Sequence, residues 1–289
     1  MSSLSVMGVG KVGGEVAFLA AAMGLVDELN IYDTDSPLLH AQALDLKHTG
    51  LDVNLSTDPA DLANGDIFLF TAGFPRTPDI KTRADLLEAN KPVSDMAAEY
   101  LKNYDGILIT VTNPMDANNY YLWKKSGIPR ERCIGFGGQL DSARYSCFMD
   151  DHGISGDAWV IGEHGEHQVP LFSKFPFEVQ SEKRDEILSQ MKSASMQVIK
   201  GKGGTVFGPA QNIIDLIRAV LNDERRIIPC SCVLEGEYGV KDCSIGVPAR
   251  IGRAGISKIF EWELGEWEEK KFQESAAFLT DLCRRTDER

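Results

Sequence analysis

The chain of 289 residues has no C-x-x-C pair: its six cysteines, Cys133, Cys147, Cys230, Cys232, Cys243 and Cys283, are scattered. That spacing argues against zinc and against a redox dithiol, and for reduced, structural thiols in a cytosolic protein. Cys230 and Cys232 are expected to lie along one strand. No apolar run approaches the length of a membrane span. The opening MSSLSVMGVG runs straight into a strand pattern, so neither a signal nor a transit peptide is expected, and the location expected is cytoplasmic. Basic residues are in deficit, 30 against 43 acidic, for a formal charge of −13. Nucleic acid and membrane are therefore not expected as partners. The acidity fits solubility or salt tolerance and identifies no substrate; local arginines can still hold an anion. Internal repeats, low-complexity tracts and flexible linkers are also missing.

What is present is alternation. LSVMGVG, ELNIYDTD, DIFLFTAG and GILITVTN read as strands. Between them KVGGEVAFLAAAMGL, PLLHAQALDLKHTG and RADLLEANKPVSDMAAEYLKNY carry apolar residues at helical spacing. The fold class predicted is α/β, a Rossmann-type doubly wound parallel sheet with helices on both faces. After about Gly137 the pattern becomes mixed α+β. A helix QLDSARYSCFMDDHG precedes a strand DAWVIGEHG, and two long helical patterns precede the strands RRIIPCSCVLEG and CSIGVPARIG. An amphipathic helix spans about Glu266 to Arg285. The division expected is 1–137, a dinucleotide-binding domain, and 138–289, a catalytic and substrate-binding domain.

The first strand ends in GVGKVG, Gly8-Val9-Gly10-Lys11-Val12-Gly13, the G-x-G-x-x-G spacing. The first glycine permits a tight turn and the second lets the backbone approach a pyrophosphate. The third lets helix pack on strand, and the helix N-terminus favours the phosphate charge. The motif is weak alone, but here it follows a strand, opens a helix and precedes an acid at the end of the second strand. That acid, Asp33, can accept from both ribose hydroxyls and repels a 2′-phosphate. With no basic residue from Tyr32 to Pro37, NAD is expected as cofactor rather than NADP. Asp35 reads as a helix cap. TAG (71–73) and VTN (Val111, Thr112, Asn113) end two more strands at the same edge.

The stretch WVIGEHGEHQVP holds His164 and His167, two of the five histidines. A metal site is not expected, because no H-E-x-x-H spacing is present and Gly165 breaks any helix. His167 reads as solvated or structural, and His40, His48 and His152 need no special role. Three arginine-bearing segments accompany His164. TAGFPRTPDIKTR carries Arg76 and Arg83, and QLDSAR places Asp141 and Arg144 on one helical face. An arginine fork suits a carboxylate, a second cation polarises a carbonyl, and a histidine with a carboxylate partner exchanges a proton near neutral pH.

With these motifs in order, followed by KGGTVFGPA and EGEYGVKD, the chain resembles the lactate/malate dehydrogenase family, and more closely its archaeal-type malate branch. The resemblance runs nearly end to end. It implies that His164 exchanges the substrate hydroxyl proton while Asp141 orients it and raises its proton affinity. Arg144 is implied to grip the C1 carboxylate, and Arg83, on a mobile loop, to polarise the reacting carbonyl. Arg76 falls where malate enzymes carry arginine for the second carboxylate and lactate enzymes carry glutamine. Asn113 is implied to touch both nicotinamide and substrate, Asn90 to lie beside the cofactor, and Thr205 to line the pocket. The partners implied are a small dicarboxylate and a second copy, as homodimer or homotetramer. Two departures stand out. TPDIKT makes the segment between Arg76 and Arg83 one residue longer than usual, so that Lys81 competes with either, and the Arg144–His164 segment is shorter. The rival readings are a lactate or longer 2-hydroxy acid as substrate, an NAD-dependent glycoside hydrolase, and a non-catalytic NAD sensor.

Overall fold

The structure is a computed structural model that describes residues 1–74 and 80–287. Six strands form the first half of its sheet: β1 (Ser3–Met7), β2 (Glu28–Tyr32), β3 (Asn54–Ser56), β4 (Ile67–Phe70), β5 (Ile107–Thr110) and β6 (Cys133–Gly135). Their order is β3-β2-β1-β4-β5-β6, and every pairing among them is parallel. This is the doubly wound order predicted, with its switch point between β1 and β4, where such sheets bind ligands. Strands β1, β4 and β5 are buried at every position, as strands covered on both faces must be. Each large apolar side chain fully buried there, such as Phe68 or Leu69, contributes roughly 1.5–3 kcal/mol.

Helices α1 (Lys11–Ala22), α2 (Ser36–His48) and α3 (Arg83–Tyr100) connect the strands where helical spacing predicts them. Asp35 caps α2, its Oδ1 accepting from the Leu38 amide at 3.0 Å. A further helix, α4 (Met115–Ser126), lies where the sequence shows no helical period. Its first eight residues, Met115 to Leu122, are all buried, so there is no polar face to mark a period. Asp116, Asn118 and Asn119 favour caps and turns in isolation; tertiary partners hold them here. Asn118 Nδ2 donates to Thr112 O at 2.9 Å, and Asn119 Nδ2 to Ser244 Oγ at 2.9 Å.

The second half adds helices α5 (Gly138–Asp151), α6 (Ser181–Lys202), α7 (Phe207–Leu221) and α8 (Glu266–Asp287). Its strands are β7 (Val160–Gly162), β8 (Gln168–Pro170), β9 (Arg226–Glu235), β10 (Lys241–Gly252) and β11 (Gly255–Ile259). These pair antiparallel, and β9 joins β6 through Gly135 and Ser231. One eleven-stranded sheet thus runs through both halves. Cys230 and Cys232 lie along β9 as expected. The strand read over 157–165 is shorter in the structure. Gly162 turns at φ 85°, ending β7 and releasing His164 into a loop. Helix α7 packs on α1, while α8 packs on α4 and β10. Among the described residues no helix is long and apolar enough to cross a membrane.

Candidate active site

The glycine turn follows β1 at the switch point. Gly8 adopts φ 100°, and a Cβ there would stand 2.3 Å from Ala72 N, so both conformation and space require glycine. A Cβ on Gly13 would meet Gly8 O at 1.9 Å, which is the close helix-to-loop approach expected of the third glycine. Gly10 differs: nothing lies within 4 Å of where its Cβ would be. Helix α1 also starts without a side-chain cap and without an acid in its first turn. Uncapped amides facing open space fit the pyrophosphate of a dinucleotide.

Asp33 closes the other side of this turn. Its Oδ2 accepts from Val9 N at 2.9 Å and its Oδ1 from Asp35 N at 3.0 Å. The carboxylate at the end of β2 is thereby held against the glycine turn, near where a ribose must lie if a pyrophosphate occupies it. Lys11 Nζ turns to Gly203 O, 3.2 Å away at the end of α6, so only its backbone belongs to the turn. Thr205 is half-buried in the connection from α6 to α7. Thr112 Oγ1 donates to Ala72 O at 2.7 Å, linking the VTN and TAG strand ends, and Val111 N donates to Phe70 O at 2.9 Å. Asn90 is buried and spends its amide on protein: Oδ1 accepts from Phe74 N at 2.7 Å and Nδ2 donates to Asn113 O at 2.8 Å. It clamps these two strand ends together.

Beyond Asn113 the side chains from distant segments converge. His164 Nδ1 lies 2.6 Å from Asp141 Oδ2. Asp141 Oδ1 lies 3.1 Å from Arg144 Nη1, one turn along α5. Among the described residues Asp141 is the one hydrogen-bond partner of Arg144, whose remaining donors stay open. Likewise no described residue hydrogen-bonds His164 Nε2. Burial disfavours the imidazolium, but the charge of Asp141 and its hydrogen bond outweigh that. Asp116 adds to them and Arg83 opposes, so His164 titrates above its ordinary 6.5. A neutral imidazole whose Nδ1 proton is held by Asp141 leaves Nε2 free to take or give a proton.

Arg83 is the first residue of α3 rather than part of the preceding loop. Thr82 caps the helix: its Oγ1 accepts from Asp85 N at 3.1 Å, and Asp85 Oδ2 accepts from Thr82 N at 2.9 Å. This double cap fixes where the helix begins and so where Arg83 starts. Its Nη2 donates to His164 O at 3.0 Å and its Nη1 to Asn113 Oδ1 at 3.3 Å. His164, Asp141, Arg144, Arg83, Asn113 and Asn90 therefore form one contiguous set. Lys81 borders the same groove as Arg83. Arg76 lies outside the described residues.

Sequence reasoning missed two acids here. Asp116 of α4 is 2% exposed, and its Oδ2 accepts from the His164 amide at 2.8 Å. Burial pushes its carboxyl up to about 6, with Glu163 adding to the rise and the Ser231 hydroxyl and His164 opposing it. Glu163 is buried beside Arg83. Neither stands at a metal-ligand spacing or on a visible helix face. The one available signal was position: Asp116 follows the VTN strand end and Glu163 stands beside His164 in GEHG. His167, read as solvated or structural, stacks on Phe278 at 4.4 Å and lies 3.2 Å from Glu163 Oε2.

A doubly wound sheet with an uncapped glycine turn, an acid at β2 and an imidazole–carboxylate pair alongside defines a dinucleotide-dependent oxidoreductase. Residues 2–135 match the family model of the lactate/malate dehydrogenase NAD binding domain, and residues 138–288 that of the alpha/beta C-terminal domain. The chain belongs to the lactate/malate dehydrogenase family, and its cofactor is NAD. It is 36% identical to the malate dehydrogenase of Halobacterium salinarum over 97% of this chain and 98% of that one. It is 34% identical to L-lactate dehydrogenase 2 of Bacillus cereus over 95% of each. The malate dehydrogenase of Archaeoglobus fulgidus in complex with NADH superposes with a TM-score of 0.89 at 33% identity, covering 98% of this chain and 99% of that one.

Proposed function

We propose that this enzyme is a malate dehydrogenase, interconverting (S)-malate and oxaloacetate. The observation that carries the choice of acid is Arg76 in the sequence, at the position where lactate enzymes carry glutamine. A dicarboxylate drawn out of water needs a cation for each end. Arg144 supplies one for the C1 carboxylate through its open donors, and Arg76 the other for the C4 carboxylate. Pyruvate, with a methyl at that end, leaves Arg76 without a partner, and unpaired polar groups in a site discriminate strongly.

NAD, when bound, accepts or supplies the hydride at C2. The remaining work belongs to side chains. His164 Nε2 faces the substrate oxygen. As the imidazolium it delivers a proton to oxaloacetate, and as the neutral base it removes one from malate. Asp141 fixes the tautomer through Nδ1 and stabilises the cation that malate oxidation creates. Arg83 and Asn113 direct their donors at the oxygen where negative charge builds, a contribution that grows from ground state to transition state. Asp33 holds the adenosine ribose, and the Gly8–Gly13 turn its phosphates. On this reading residues 1–137 carry the cofactor and 138–289 the acid–base pair, in a cytoplasmic homodimer or homotetramer.

The test is NADH oxidation with oxaloacetate and pyruvate side by side, for the native enzyme and for Arg76→Gln. The native enzyme prefers oxaloacetate, and Arg76→Gln lowers kcat/KM for oxaloacetate by roughly a hundredfold or more while sparing pyruvate. An unchanged preference in the variant rules out the role given to Arg76.

A further inference from the structure

Three groups hold the Arg83 guanidinium, and one of them has no part in the chemistry above. Besides His164 O and Asn113 Oδ1, Arg83 Nε lies 3.3 Å from Glu163 Oε1. The two partners differ in burial, Arg83 with 27% of its side chain exposed and Glu163 with 3%. A carboxylate that deep costs several kcal/mol unless it is paired and bonded. Glu163 meets that condition with a fixed set of contacts. Its Oε2 accepts from the His167 amide at 2.8 Å, and its own amide donates to Ser275 Oγ of α8 at 2.7 Å. The Oε2 edge also faces His167 Nδ1 at 3.2 Å, an imidazole stacked on Phe278, whereas the Oε1 edge faces Arg83.

Gly165 supplies the space. A Cβ there would stand 2.0 Å from Arg83 Nη2 and 2.2 Å from Glu163 Oε1. Its φ lies outside the left-handed region, so the guanidinium, rather than the backbone, excludes a larger residue. The E-H-G triplet thus reads as three consecutive functions: a carboxylate that receives the arginine, the imidazole, and a gap through which the arginine reaches both.

We propose that Glu163 is a positioning residue for Arg83, and that with Gly165 it forms a socket that sets the guanidinium before the substrate arrives. The proposal rests on the reading of Arg83 as the group that polarises the substrate carbonyl. A free arginine side chain has rotamer entropy to lose, which a preset one has already lost when the substrate binds. The arrangement has a cost in the opposite sense. Glu163 adds negative charge near a site for a dianion, so it favours geometry at the expense of ground-state attraction. Removing it lowers kcat without raising KM, a split that general loosening of the fold does not give.

The experiment uses the full chain carrying Glu163→Gln or Gly165→Ala, each alone and combined with Arg83→Gln. Oxaloacetate reduction is followed by NADH absorbance and NADH binding by fluorescence. Each single variant is expected to lower kcat roughly ten- to a hundredfold, with KM for oxaloacetate unchanged or lower and NADH affinity unchanged. In the Arg83→Gln background neither lowers kcat further, because the group they position is gone. Gly165→Ala keeps both charges and carries the test alone should Glu163→Gln fail to fold. Losses that multiply in the Arg83→Gln background, or single variants with native kcat, overturn the socket and leave the role of Arg83 standing. An Arg83→Gln enzyme with native kcat overturns both.

Discussion

The nucleotide turn and the acid–base cluster are joined through Asn90 and Asn113, yet they are built from different material. The turn is backbone: six consecutive residues, two of them admitting no Cβ, leading into a helix start that no side chain caps. The cluster is side chain, with Arg83, Asp141, Arg144 and His164 supplied by α3, α5 and the loop after β7. Backbone sites tolerate exchange of the residues around them but no added bulk. Side-chain sites tolerate small shifts of the chain but no change of functional group. That contrast predicts which substitutions leave binding intact and which leave chemistry intact.

The sharpest separation comes from His164→Gln. It removes the proton donor while leaving the glycine turn untouched, so kcat falls by about 10³–10⁴ and NADH affinity measured by fluorescence stays native. On the proposed reading, kcat/KM for oxaloacetate reduction by the native enzyme requires the imidazolium. Because Asp141 outweighs burial, activity persists above the ordinary 6.5 and falls as pH rises through the elevated pKa. A pH profile that breaks below 6.5 contradicts the coupling of His164 to Asp141.

A smaller effect tests the opposite end. Asp33→Ser deletes a carboxylate that braces Val9 and Asp35 and that, on the proposed reading, holds the ribose. NADH binding weakens by about tenfold to a hundredfold, NADPH binding does not weaken in step, and kcat at saturating cofactor changes little. Titration with each nucleotide decides it, and a fall in kcat with native NADH affinity contradicts the division.

The smallest effect concerns Asp116, which supports the cluster without reaching substrate. A carboxyl raised from 3.8 to about 6 by burial binds its proton more tightly folded than unfolded. Its contribution to stability is whole below about pH 4 and is lost as pH rises through 6. Asp116→Asn keeps an acceptor for the His164 amide and removes the ionisation. Thermal melts should gain about 5 °C near pH 8 and little near pH 4. An equal gain at both pH values removes Asp116 ionisation as the cause.

The same contrast explains what could be read in advance. Gly8, Gly10, Gly13 and Asp33 interact within one strand–turn–helix–strand unit, so their spacing along the chain carries their geometry. His164 and Asp141 are 23 residues apart and Arg83 and His164 81 apart, so only the order of several motifs pointed to their meeting. Helix α4 left no periodic trace because its first eight residues are all buried, and it brought Asp116 with it. Glu163 stands inside the motif that holds His164, but the sequence reading gives it no role. Its function lies in an arginine that local spacing does not reach.

The pairing of β6 with β9 through Gly135 and Ser231 gives the two halves a common beam. The glycine turn and the His164 cluster are carried by one continuous sheet rather than by two bodies swinging about a tether. Neither half can be cut away without baring an unpaired strand rim, and melting one half strips the other of its neighbour.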